Sequence, residues 1–168
     1  MSEVLKVQWR ATSLKPISKR VIMSVCRVLF ALYIILLAYF LFFSEHYGRT
    51  ITSEEYRYNL VLFKEVKRFI EYREILGMES FIVNIFGNVL AFAPFGFVLP
   101  IISQSNRKLL NITLLSLEFS LTVELIQLIF RVGIFDVDDI LMNTIGGFIG
   151  GLGFIICHRI LKSLKKLK

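Results

Sequence analysis

The sequence predicts an all-α, polytopic membrane protein with four transmembrane helices and an interfacial helix in the first outer loop. Three observations lead there. Mean hydropathy is +0.67 with 55% hydrophobic residues, too apolar for an ordinary soluble domain. Four stretches approach the roughly 20 apolar residues that a helix needs to cross a hydrocarbon core about 30 Å thick. They are Val21–Phe43, Phe81–Ile102, Leu109–Phe130 and Ile140–Cys157. Charge alternates between the links that join them, as the basic-inside bias of membrane proteins requires. The 168 residues suffice for one domain. It divides into a basic tail over 1–20, a four-helix unit over 21–157 and a second basic tail over 158–168.

The first stretch is the most apolar, with no charge from Val28 to Phe43. Its length and the lack of a small-residue cleavage pattern predict a retained signal anchor rather than a removed leader. Lys6, Arg10, Lys15, Lys19 and Arg20 precede it, against Glu3, and predict a cytoplasmic tail. Arg107 and Lys108 place the link between the second and third stretches on the same side. Arg159, Lys162, Lys165, Lys166 and Lys168 do so for the C-terminal tail. The link 44–80 balances six basic residues with seven acidic ones, and Arg131–Asp139 holds one arginine and three aspartates. Both links therefore belong outside. Within the longer one, Tyr56–Leu76 mixes apolar and charged residues at roughly helical spacing. It suits a helix lying in the lipid–water boundary, with Tyr56, Tyr58 and Tyr72 at that boundary, or a short re-entrant one, or an extracellular helix packed on the spans.

Composition also excludes function classes. Net charge is +7, but no aromatic-plus-basic surface accompanies it, so nucleic acid is not a predicted partner. Cys26 and Cys157 both fall inside spans and form no disulfide framework or zinc spacing. No HExxH motif occurs. His46 and His158 stand alone, on opposite sides of the membrane. Glu118 lies near mid-bilayer on another face from Glu124, either protonated or paired with a hydroxyl or with Arg27, and reads as structural.

The remaining polar residues converge in depth. Asn84 and Asn88 share a face near the outer end of the second span. Glu124, Gln127 and Arg131 form a stripe at the outer end of the third. Asp136, Asp139, Asn143, Gly146, Gly150 and Gly153 form one at the start of the fourth, if that helix begins near Asp136, and Asp138 points about 100° away from it. Ionisable groups at membrane depth are costly and face the bundle interior or a wet cavity. A polar pocket at the extracytoplasmic face follows, with the glycines below it permitting close helix contact. Single residues such as Asn84 suit simple helix association. Four carboxylate or guanidinium groups at one level exceed that need.

At these residues the chain resembles the VanZ-like family. The blocks are "NIFGNVLAFAPFGFVLP" (Asn84–Pro100) and "VELIQLIFRVGIFDVDDILMNTIGGFIG" (Val123–Gly150). The family pattern has an Asn-x3-Asn helix ending in a Phe-x-Pro-x-Gly type turn, then a Glu-x2-Gln helix, an Arg, and an Asp-x2-Asp-x3-Asn-x2-Gly start to the last helix. Asn84, Asn88, Pro94, Gly96, Glu124, Gln127, Arg131, Asp136, Asp139, Asn143 and Gly146 stand at the matching positions. Asn59 and Phe63 match an earlier segment, although Leu60–Phe63 lacks its usual proline. The resemblance spans about Arg57–Gly151. It implies a small integral protein of the bacterial cell membrane, in a family whose founding member is tied to low-level resistance to teicoplanin, a lipid-tailed glycopeptide. It names no reaction.

Three functions stay open on the sequence. One is modulation of susceptibility to lipid-bearing glycopeptides, through what the drug meets at the outer leaflet. Another is an enzyme acting on a lipid or lipid-linked envelope precursor. Glu124, Asp136 and Asp139 would then supply acid–base groups. Arg131 would hold a phosphate headgroup, and Asn84, Asn88, Gln127 and Asn143 would orient it. The same oxygens would also suit a hard cation such as Ca²⁺ or Mg²⁺. No Ser or Cys nucleophile with a base partner lies at the pocket, which argues against serine or cysteine hydrolysis. The last is a non-enzymatic binder of a membrane partner. Cofactor and oligomeric state stay open.

Overall fold

A computed structural model describes residues 19–43, 55–72, 78–103 and 107–166, with the side chains of 19, 65, 69 and 78–85 excepted. The chain is mostly helical. Helix α1 is Lys19–Phe43, followed by a two-residue strand β1, Tyr58–Asn59, and a short helix α2, Lys64–Glu71. Helices α3, Met78–Ile102, and α4, Leu109–Phe130, come next. Strand β2, Phe135–Asp136, leads into the 30-residue helix α5, Val137–Lys166. Among the described residues, α1, α4 and α5 are long and apolar enough to cross a membrane, and α3 contributes a shorter apolar segment, Phe86–Ile102.

Side-chain contacts fix the directions of the helices. Gly146 and Gly150 of α5 lie against Val89 and Ala93 of α3, so these two helices run the same way. Gly147 and Gly151 lie against Ser116 and Ile112 of α4, so α4 runs opposite. Tyr33 donates its hydroxyl to the Ala91 carbonyl and Phe30 packs on Phe95, 5.8 Å between ring centres. Helix α1 therefore also opposes α3. The result is an up-and-down arrangement. It brings the C-terminal ends of α1 and α4 and the N-terminal ends of α3 and α5 together.

Helix α5 is wedged between α3 and α4 because glycine occupies both of its contact faces. A Cβ at Gly146 or Gly150 would collide with the Val89 or Ala93 carbonyl, and one at Gly147 with the Ser116 hydroxyl. Small residues of this kind let helix backbones approach in lipid, where van der Waals contact is the main attraction. Leu37, Leu41, Phe92 and Val123 form the buried core, flanked by Tyr33, Ala91 and Phe119. Phe119 stacks on Phe95 with ring centres 5.0 Å apart. Elsewhere large apolar side chains face outward, among them Ile35 at 66% and Leu90 at 68% exposure. Hydrocarbon surroundings satisfy such a surface and water does not.

Three local expectations change. The segment 56–76 is not one continuous helical pattern, since Tyr58–Asn59 pairs in parallel with Phe135–Asp136 and α2 begins only at Lys64. Phe63 before it is left-handed, at φ 62°. The turn expected at Pro94 is absent, and α3 continues through both Pro94 and Pro100. Packing on α5 supports the helix where proline removes a backbone donor. Glu118 and Arg27 are both exposed. His158 stacks on Phe154 at 5.6 Å. His46 lies outside the described residues.

Candidate functional site

Arg131 ends α4 with a left-handed backbone, at φ 54°, and its N–H bonds to the Gln127 and Leu128 carbonyls. The chain then turns through Gly133 and enters β2. This tight turn sets Asp136 directly beside the last turns of α4. The Asp136 N–H donates to Glu124 Oε2 at 3.0 Å. Glu124 is thus fully buried yet hydrogen-bonded, at 1% exposure.

Asp136 Oδ1 accepts two further bonds. One comes from the Asp138 N–H at 2.8 Å and organises the first turn of α5. The other comes from Asn59 Nδ2 at 3.1 Å and ties the link after α1 to the link after α4. Asn59 Oδ1 in turn accepts the Val61 N–H at 3.2 Å. Asp138 Oδ1 accepts the N–H of Phe63, the left-handed residue before α2. Burial pushes the Asp136 carboxyl above the ordinary carboxylate range, and the nearby Asp138 charge adds to that. The Asp138 N–H, Asn59 and Lys64 act the other way.

Deeper along α5 the bonds run between helices. Asn88 Nδ2 of α3 donates to Asp139 Oδ1 at 2.6 Å. Asn143 Nδ2 donates to Ser120 Oγ of α4 at 2.9 Å. Asn143 Oδ1 is buried without a hydrogen-bond partner among the described residues. Gln127 Nε2 donates to the Leu41 carbonyl of α1 at 2.8 Å. The Arg131 guanidinium carbon lies 4.4 Å from the centre of the Tyr56 ring, within cation–π range.

The helix stripes thus bring most of the predicted residues to one end of the bundle. Glu124 meets the Asp136 backbone, and Asp139 meets Asn88. Gln127 and Asn143 are directed to a backbone carbonyl and a serine. Arg131 reaches Tyr56 in the link after α1. The Asn84 side chain lies outside the described residues. Among the described residues, no three His, Cys, Asp or Glu side chains converge closely enough to hold a metal ion.

Sequence reasoning missed Asn59, Ser120 and the role of Asp138. Asp138 does point off the stripe, but its side chain faces the link between α1 and α3 and is 3% exposed. The match of Asn59 to the family pattern was the available signal for that residue. Ser120 had one in its spacing from Ser116 along α4.

The sequence pattern of the VanZ/LLP1 family matches residues 30–158. Protein VanZ of Enterococcus faecium is 32% identical over 126 residues, which cover 74% of this chain and 70% of that protein. No solved structure matches the chain.

Proposed function

Since this chain belongs to the VanZ-like (VanZ/LLP1) family, we propose that it is a cell-membrane protein that lowers susceptibility to lipid-bearing glycopeptides such as teicoplanin. In this reading it crosses the membrane four times with both termini cytoplasmic, and 1–20 and 158–168 are basic tails around the 21–157 unit. Helix α2 lies at the outer boundary. The alternating helix directions and the placing of both acidic links at one end support that topology.

The observation that carries the proposal is the hydrogen-bonded network of Asn59, Asn88, Glu124, Asp136, Asp138 and Asp139. It joins α3, α4 and α5 to the first outer link at one end of the bundle. Such a network holds the outer surface in one shape, and that surface is what a lipid-anchored drug or its envelope target meets. Expression in a susceptible host should raise the teicoplanin concentration needed to stop growth by several fold. A glycopeptide without a lipid tail should be unaffected. Equal protection against both, or against neither, sinks the proposal.

One observation favours an enzyme acting on a lipid-linked precursor instead. Burial raises the Asp136 carboxyl, the direction in which a general acid is tuned. In that reading Asp139 and Glu124 complete the acid–base set. Asn84, Asn88, Gln127, Arg131 and Asn143 hold the substrate. Lipid mass spectrometry of membranes with and without the protein separates the two, because a changed headgroup species requires the enzyme.

A further inference from the structure

The first outer link does more than cover the network. It borders an open cavity of about 780 Å³, within the size range of small-ligand sites. Among the described residues its wall carries four cations, Arg57, Lys64, Lys67 and Arg68, against one acid, Glu71. Lys64, Lys67, Arg68 and Glu71 fall at offsets 0, 3, 4 and 7 on α2 and so share one helix face. Ile134 completes the wall from the second outer link.

We propose that this cavity binds the anionic, phosphate-bearing headgroup of a membrane lipid. Charge selects the ligand class. Arginine forks match phosphate oxygens in pairs and the lysines add point charges. The choice of lipid over free phosphate comes from the adjoining surface. Leu60, Val61, Leu62 and Phe63 are consecutive, apolar and exposed, at 44–64%. Tyr58 and Tyr72, both lining the cavity, are also half exposed or more. An apolar run beside a cationic hollow, with tyrosines between, matches the boundary where headgroup meets acyl chain.

The buried network supports this cavity from behind. Asn59 is pinned by Asp136, and the Phe63 N–H at the start of α2 is pinned by Asp138. The acids thereby fix the frame on which the cations stand. The inference rests on the preceding reading only in placing this end of the bundle at the outer leaflet.

The test uses the purified full-length protein in detergent, so it is independent of drug susceptibility. Retention of phosphatidylglycerol and of phosphatidylcholine is followed by native mass spectrometry. Phosphatidylglycerol should be retained in preference, and less so as salt rises. Lys64→Gln with Lys67→Gln should weaken its retention at least fivefold, and Arg57→Gln should act in the same direction. The matched pair Lys162→Gln with Lys165→Gln, at the far end of α5, should change it less than twofold. Helicity by circular dichroism should be the same in all variants, since these side chains are exposed. Equal retention of the two lipids overturns the proposal, as does undiminished retention in the pocket variants. Displacement by inorganic phosphate at concentrations equal to the lipid would make free phosphate the ligand and overturn the lipid assignment.

Discussion

Three neighbouring aspartates each hold a different piece of chain. Asp136 accepts from Asn59, Asp138 from Phe63, and Asp139 from Asn88. A buried N–H that loses its acceptor costs about 1–3 kcal/mol. Phe63 is only partly buried, so Asp138→Ala should lower stability by the low end of that range, about 1 kcal/mol, with increased proteolysis in the first outer link. Asp138→Asn should cost less, because its amide oxygen still accepts the Phe63 N–H. Thermal aggregation in detergent measures both, and an Asp138→Ala protein as stable as wild type would contradict the assignment. Helical spacing made part of this legible. It put Asp136, Asp139 and Asn143 on one stripe and Asp138 off it. Spacing gives a direction only, and what stands in that direction depends on the returning link. The left-handed Phe63 that Asp138 serves left no mark in residue type, since a bulky aromatic is an uncommon choice for positive φ.

At the scale of elements, the glycines of α5 were visible as small residues four apart. Their division of labour was not. Gly146 and Gly150 meet the backbone of α3, whereas Gly147 and Gly151 meet side chains of α4. A one-dimensional pattern does not say which neighbour each face receives. Gly150→Leu should push the Ala93 carbonyl away and cost about 1–3 kcal/mol or more, as overpacking does. Phe148 is 40% exposed, so Phe148→Leu should be milder. Equal aggregation temperatures for the two variants would show that the α3 face of α5 is not a close contact. Strands β1 and β2 lay below what a sequence pattern reveals. Two residues each cannot display an alternation, and their pairing joins positions 77 apart, Asn59 and Asp136.

For the whole molecule, charge supplies the orientation and helix packing supplies the relative directions. The proposed topology, drawn from the basic tails and the Arg107–Lys108 link, puts position 134 on the outer side and position 105 on the cytoplasmic side. In a background lacking Cys26 and Cys157, Ile134→Cys should react with an impermeant thiol reagent in intact cells. Ser105→Cys should react only after permeabilisation. The reverse pattern would move the polar network to the inner face and remove it from the drug.

The claim that this network is the functional centre is tested most directly by Asp139→Asn. The substitution keeps shape and removes the charge that Asn88 meets. Glu118→Gln is the control, since Glu118 is exposed mid-way along α4, away from the network. Teicoplanin susceptibility would be measured in a host without its own copy, at protein abundance equalised by blot. The account predicts that Asp139→Asn returns the inhibitory concentration to that of cells without the protein, while Glu118→Gln protects as wild type does. Full protection by Asp139→Asn at equal abundance would contradict it.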